Sequence, residues 1–141
     1  VVSLLNSFLS MQNTQQNNSA EFVINLVWNF MTHVRGNFSI GEIFPPTLAL
    51  LYAYHKGYSI KMFDYRHLEF VPNDDKLYQA LINLVPNDKH LHAELCEFVR
   101  KLSFIDRNDF NLVYVEVLRN LFDLVSSNSG RQGGERGPVT A

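Results

Sequence analysis

Three times along this chain a pair of Asn and Asp residues stands directly before a stripe of apolar residues at helical spacing. Asn73-Asp74-Asp75 precedes Leu77, Leu81, Leu84 and Val85; Asn87-Asp88 precedes Leu91, Leu95, Phe98, Val99 and Leu102; Asn108-Asp109 precedes Phe110, Val113, Tyr114, Val117, Leu118, Leu121, Phe122 and Val125. A short side-chain oxygen satisfies free N–H groups at a helix start, and a carboxylate there lies at the positive end of the helix dipole. The recurrence predicts three consecutive helices, each started by its own polar pair and each needing cover for an apolar face. Pro86 closes the first of them.

The upstream half reads less regularly. Val1, Leu4, Leu5 and Phe8, with Met11 extending the stripe, predict a short helix over 1–11. The run Gln12-Asn13-Thr14-Gln15-Gln16-Asn17-Asn18 has no apolar anchor to offset its ordering entropy and is expected to be a flexible loop. Ser19 then caps a second helix carrying Phe22, Val23, Leu26, Val27, Phe30 and Val34, which stops near Arg35-Gly36. Residues 37–44 form a connector, in which Ser39-Ile40-Gly41-Glu42 has the S-x-x-E pattern of a capping box and reads as a turn or helix start. Pro45-Pro46 fits the first turn of a third helix, since each proline fixes φ and removes a donor that is unused there. That helix is apolar nearly all round, from Leu48 to His55, and belongs at the centre of the core; Gly57 ends it. Residues 58–71 show no clean period, leaving open a short strand, an irregular loop or a brief helix around Tyr65-Arg66-His67-Leu68.

The predicted fold is all-α: a compact bundle of five to six helices over residues 1–126, followed over 127–141 by a flexible Gly-rich C-terminal tail with almost nothing to bury. At 141 residues and 46% apolar composition the chain can bury a real core. Twelve Lys and Arg against fourteen Asp and Glu give a net charge of −2, without the basic excess that counterion release from DNA requires. The lone Cys96 excludes an internal disulfide and points to a reduced, cytoplasmic protein. No apolar run reaches the roughly 18 residues of a membrane span. The opening Val1-Val2-Ser3 has neither an initiator Met nor a basic leader, which argues against a signal peptide and for a piece of a longer chain.

Several short patterns invite chemistry and read better as structure. His92-Ala93-Glu94 matches the H-x-E of zinc deaminases, but the P-C-x-x-C that completes their metal shell is missing. His92 and Cys96 share a helix face, without a second ligand pair, and are read as a histidine beside a buried free cysteine. Phe44 before and Thr47 after Pro45-Pro46 put the wrong residues around what would be an adenine-methylating Asn-Pro-Pro-aromatic motif. Trp28, Phe30, Tyr52, Tyr54, Tyr58, Phe63 and Tyr65 are read as core and not as a base-stacking platform, because no Lys/Arg cluster is interleaved with them. Gly130-Arg131-Gln132-Gly133-Gly134 is not a P-loop, having no G-K-[ST] after it. No nucleophile, base and orienting group stand at meaningful spacing, so catalysis by this chain alone is not indicated.

A resemblance enters at the end of the last helix. The segment Val115-Glu116-Val117-Leu118-Arg119-Asn120-Leu121-Phe122-Asp123-Leu124-Val125, followed by Ser129-Gly130-Arg131-Gln132-Gly133-Gly134-Glu135, resembles the N-6 adenine DNA methylases of type I restriction-modification systems. In these an acidic-aromatic-aliphatic helix end runs into G-[RK]-x-G-G-E. Arg35-Gly36 and the apolar helix from Leu48 to Tyr54 look like the same family's N-terminal helical domain. The chain departs from the pattern after Glu135, where Arg136-Gly137-Pro138 replaces an aromatic pair and a Thr-Pro step. The resemblance implies a non-catalytic N-terminal helical domain that assembles with the sequence-specificity subunit and helps close the complex around DNA. S-adenosylmethionine would be the cofactor of the full-length protein and not of this portion, with Glu135 the one position that carries over toward it. Candidate DNA contacts are Lys56, Lys61 and Arg66 in the middle of the chain and Arg131 and Arg136 near its end. The alternative is a helical protein-interaction module unrelated to methylation.

Overall fold

A computed structural model describes the backbone of residues 2–136 and the side chains of 2–9 and 18–127. Five helices and one hairpin follow in the order α1 (Val2–Val34), α2 (Ile40–Lys56), β1 (Ile60–Phe63), β2 (His67–Phe70), α3 (Lys76–Asn83), α4 (Lys89–Leu102) and α5 (Arg107–Arg136). The predicted all-α bundle is therefore the architecture found, with a two-stranded antiparallel hairpin added in the segment that lacked a clean period.

The core is made by one stripe from each of the longer helices. Val23, Val27, Met31 and Val34 of α1, Leu91, Leu95, Phe98 and Leu102 of α4, and Phe110, Val113, Val117 and Leu121 of α5 are buried together. α2 lies in the middle as its composition predicts, burying Ile43, Ala49, Leu50, Leu51 and Ala53. α1 packs on both α4 and α5, α2 on α3 and α5, and the hairpin docks through β2 on α4. No helix is long and apolar enough to cross a membrane among the described residues.

Two of the three polar helix starts behave as predicted, while Asn108-Asp109 do not start α5, which begins at Arg107 and takes both into its first turn. Asp75 caps α3 by accepting from the Tyr78 N–H, and Asp88 caps α4 by accepting from the His90 and Leu91 N–H groups. The stripe of α3 is rotated from the expected one: Tyr78 and Leu81 are buried, while Leu77 and Leu84 are exposed.

Two expectations in the N-terminal half are corrected. The amide run 12–18 is not a loop, and Ser19 caps nothing, because α1 is continuous from Val2 to Val34. The run is polar but contains neither Gly nor Pro, so nothing in it breaks the i to i−4 ladder carried in from both flanks. The second correction concerns Pro45-Pro46, which do not start a helix. Ser39 caps α2 six residues before Pro45 in a complete capping box, its hydroxyl accepting from the Glu42 N–H while the Glu42 carboxylate accepts from the Ser39 N–H at 2.8 Å. The prolines then sit in the second turn, where their missing donors would have faced the carbonyls of exposed Gly41 and Glu42, and both rings are buried in the core. Thr47 next to them donates its hydroxyl to the Ile43 carbonyl at 2.6 Å.

At its other end α2 stops on Gly57, which has φ +78° and donates its N–H to the Ala53 carbonyl. A Cβ at this position would lie 2.7 Å from Nη1 of Arg107. Gly57→Ala should cost about 1–2 kcal/mol through the left-handed backbone, and removing the guanidinium with Arg107→Ala should leave that cost in place while relieving only the steric part. Urea denaturation of the two single variants and the double variant checks this; a neutral Gly57→Ala would contradict the cap geometry.

The packed part of α5 ends at Leu124 and Val125, and the backbone continues helical to Arg136, so the glycine-rich run extends the last helix in the structure. The side chains of Arg131, Glu135 and Arg136 lie outside the described residues, as do residues 137–141 altogether.

Candidate functional site

Along the C-terminal half of α1, Phe22, Leu26 and Phe30 follow one another at four-residue steps, and Asn25, Asn29 and His33 run beside them at the same step. Four residues per step keeps each set on one face of the helix, so an aromatic stripe and an amide stripe lie side by side. The facing helix α4 presents Glu94, Glu97, Phe98 and Lys101 by the same geometry. Between them opens a groove of about 640 Å³, completed by Phe104 in the turn after α4. Its floor is apolar: Phe30 and Phe98 stack at 4.9 Å between ring centroids with 13° between their planes. Phe22 at 41% exposure and Phe104 at 75% stand open to solvent at its edges.

The polar groups on the rim are engaged with one another. His33 Nε2 lies 3.1 Å from Glu94 Oε2 and bridges the two walls. Arg100 donates to both oxygens of Glu97, and Lys101 Nζ lies 3.8 Å from Glu97 Oε2. Hydrogen bonding from Arg100 holds the Glu97 carboxyl below its usual range. A groove with an aromatic floor, amides on one lip and carboxylates already engaged on the other offers burial to an apolar surface.

A second polar cluster ties the α2–α3 side together. Asp75 Oδ2 accepts from the Tyr52 hydroxyl at 2.6 Å and the Tyr58 hydroxyl at 2.7 Å, while its Oδ1 caps α3. Those two phenolic bonds are the main reason the Asp75 carboxyl is lowered to about 2, and the bond to Asp75 raises Tyr52 to about 12. Near neutral pH the carboxylate is therefore ionised and saturated and the phenols are protonated, an arrangement suited to holding α2, the hairpin approach and α3 in place and not to moving protons. Beside it Tyr78 is fully buried, its hydroxyl without a hydrogen-bond partner among the described residues, and desolvation raises it to about 12. Tyr114 is raised to about 12 by burial as well.

The sequence candidates fall elsewhere. Lys56 is the last residue of α2, its Nζ 5.7 Å from the centre of the Tyr52 ring. Lys61 lies on β1 directly opposite Glu69, which opposes its charge, and Arg66 stands in the hairpin turn. Arg107, which sequence reading did not single out, brings its guanidinium against Gly57 beside Lys56. These cations do not line the α1–α4 groove. His92 and Cys96 are both buried, and burial pushes the thiol up. No group of three or more His, Cys, Asp or Glu stands ready to hold a metal among the described residues. The reading of the aromatics as core holds for Phe30, Tyr52, Tyr54 and Tyr58 and is corrected for Trp28, Phe63 and Tyr65, which are exposed.

No family model, curated protein or solved structure matches this chain. The groove itself was legible in principle: the paired stripes of Phe22, Leu26, Phe30 and Asn25, Asn29, His33 are a sequence signal. They look like any amphipathic helix until the partner helix is known to stop short of covering them.

Proposed function

We propose that this chain is a non-catalytic helical assembly domain of an N-6 adenine DNA methyltransferase subunit, and that the α1–α4 groove receives an amphipathic helix of the specificity subunit. The observation that carries the assembly reading is the groove: exposed aromatic edges over a stacked Phe30–Phe98 floor, at a scale suited to one helix face. Because Glu94 and Glu97 already have partners, the docked face is aliphatic and uncharged. The methyltransferase setting rests on the resemblance of the segment from Val115 to Glu135 and of the helical region before it.

S-adenosylmethionine has no cradle in the described residues. Nucleotide-like cofactors are held where a glycine-rich turn joins a parallel strand to a helix, and the strands here make an antiparallel hairpin. The described residues do not fit that group, and no step through it is assigned to them. Contacts with DNA, if the parent complex closes around it, fall to Lys56, Lys61, Arg66 and the cations of the terminal segment as local backbone contacts within a domain of net charge −2.

Reading the native locus past the codon for Ala141 tests the setting. An aromatic-Thr-Pro step, a glycine-rich strand turn and an Asn-Pro-Pro-aromatic motif are expected in the same frame. An in-frame stop or an unrelated domain would leave the alternative, an interaction module outside DNA methylation.

A further inference from the structure

The first turns of α1 repeat, farther upstream, the face that the core covers. Val2, Leu4, Leu5, Phe8 and Leu9 precede Ala20, Phe22, Val23, Leu26 and Val27 by roughly five whole turns each, so each pair projects to the same side of the helix. In the downstream stretch Ala20, Val23, Leu26 and Val27 are buried, where α1 packs on α4 and α5. In the upstream stretch the five side chains are 48–76% exposed, and among the described residues none of them belongs to the core or packs against it. Ser3, Asn6 and Ser7 fall on the opposite side of the helix, and no Asp, Glu, Lys, Arg or His occurs before Glu21. One apolar stripe thus runs the length of α1, covered at one end and bare at the other.

We propose that the bare end is a homodimer contact, in which the first segments of α1 from two copies of this chain pair antiparallel. The stripe is self-complementary about its own midpoint. With a two-fold axis between Asn6 and Ser7, Leu4 meets Leu9 of the partner subunit and Leu5 meets Phe8 of the partner subunit, and both relations hold in reverse, as a two-fold contact requires. Every facing pair is apolar, and the uncharged segment brings no unpaired charge into the contact. In this register Val2 lies beside position 11 of the other copy, about 13 Å along the axis before Ala20, the first buried residue of α1 among the described ones. The α1–α4 groove, which begins at Phe22, stays open, so the dimer contact is independent of what the groove receives. The five side chains expose on the order of 600 Å² per copy, and burying both sets reaches roughly the 1,200 Å² at which specific, stable interfaces begin. An area at that lower bound makes a dimer that dissociates on dilution.

Sedimentation equilibrium of the full chain over a dilution series tests the contact. The parent should approach twice the monomer mass at high concentration and return to the monomer mass on dilution. Leu5→Lys and Phe8→Glu, each at an exposed position, should each weaken association at least about tenfold. An equimolar mixture of these two variants should regain it, because the antiparallel register sets the two new charges opposite each other at one contact and keeps the original Leu5 and Phe8 at the other. Phe22→Glu/Phe104→Glu should leave the dimer unchanged, which separates this contact from the groove. A parent that stays monomeric throughout, a dimer that survives both single variants, a dimer lost in Phe22→Glu/Phe104→Glu, or a mixture no more associated than its components would each overturn the proposal.

Discussion

Phe98→Ala should destabilise the chain by about 3–5 kcal/mol. The ring is 2% exposed and stacks on Phe30, so its removal takes away both the transfer free energy of a large side chain and the aromatic contact that joins α1 to α4. The two helices have no other stacked aromatic pair between them among the described residues, and the floor of the groove lies over the void left behind. Phe104→Ala is the matched control: at 75% exposure it should stay within about 0.5 kcal/mol of the parent. Urea denaturation of both, with unchanged slopes, reads the difference. A loss below about 1 kcal/mol for Phe98→Ala would mean that the two helices are not held by this contact.

The second large effect is on pH. Asp75 has its folded value lowered from 3.8 to about 2, chiefly by the hydroxyls of Tyr52 and Tyr58. A lowered carboxyl contributes stability that is fully present above its unfolded value and is lost as pH falls from about 4 to about 2. Tyr52 is raised from 10.0 to about 12, chiefly by the same hydrogen bond, so its contribution is present below pH 10 and lost as pH rises toward about 12. One cluster thus sets both an acid and an alkaline edge. Asp75→Asn keeps a residue able to cap α3 but removes the charge, and should flatten the acid edge of a melting-temperature profile and move the Tyr52 share of the tyrosinate absorbance change to lower pH, leaving the shares of Tyr78 and Tyr114, which burial raises, where they are. An Asp75→Asn profile that overlays the parent at both ends would show that the cluster carries no linkage.

Much of the fold was legible because helix ends are local. Asp75 and Asp88 announce themselves within three residues of the N–H groups that they satisfy, and Ser39 with Glu42 does the same. The second role of Asp75 was not legible, since the hydroxyls of Tyr52 and Tyr58 come from 23 and 17 residues away. The continuity of α1 was missed because an apolar anchor was required of every segment, whereas a polar run flanked by helix and free of Gly and Pro simply propagates. The hairpin was left open for a concrete reason. Its turn places Asp64 and Tyr65 at φ 56° and 57°, and the usual sequence sign of such a turn is Asn-Gly or Asp-Gly. Tyrosine in the left-handed region gives no such sign. The exposed Phe63 and Tyr65 were read as core because no Lys/Arg cluster is interleaved with them, a criterion blind to the hairpin that turns them to solvent.

The groove depends on tertiary placement in the same way. Glu94 and His33 lie 61 residues apart, and only their contact shows that two amphipathic faces meet without closing over Phe22 and Phe104. The methyltransferase resemblance sits in a different part of the chain from the groove, so the two halves of the proposed function stand on separate observations and fail separately.

The most direct measurement is the association of this chain with the specificity subunit that the proposal assigns to it, followed by light scattering after co-expression, for the parent and for Phe22→Glu/Phe104→Glu. Both positions are exposed, so helical circular dichroism should be unchanged in the variant. A stable complex for the parent, weakened by at least about 2 kcal/mol or roughly thirtyfold in the variant, is the expected result. A complex that forms equally well with both glutamates in place would show that the α1–α4 groove is not where the partner binds.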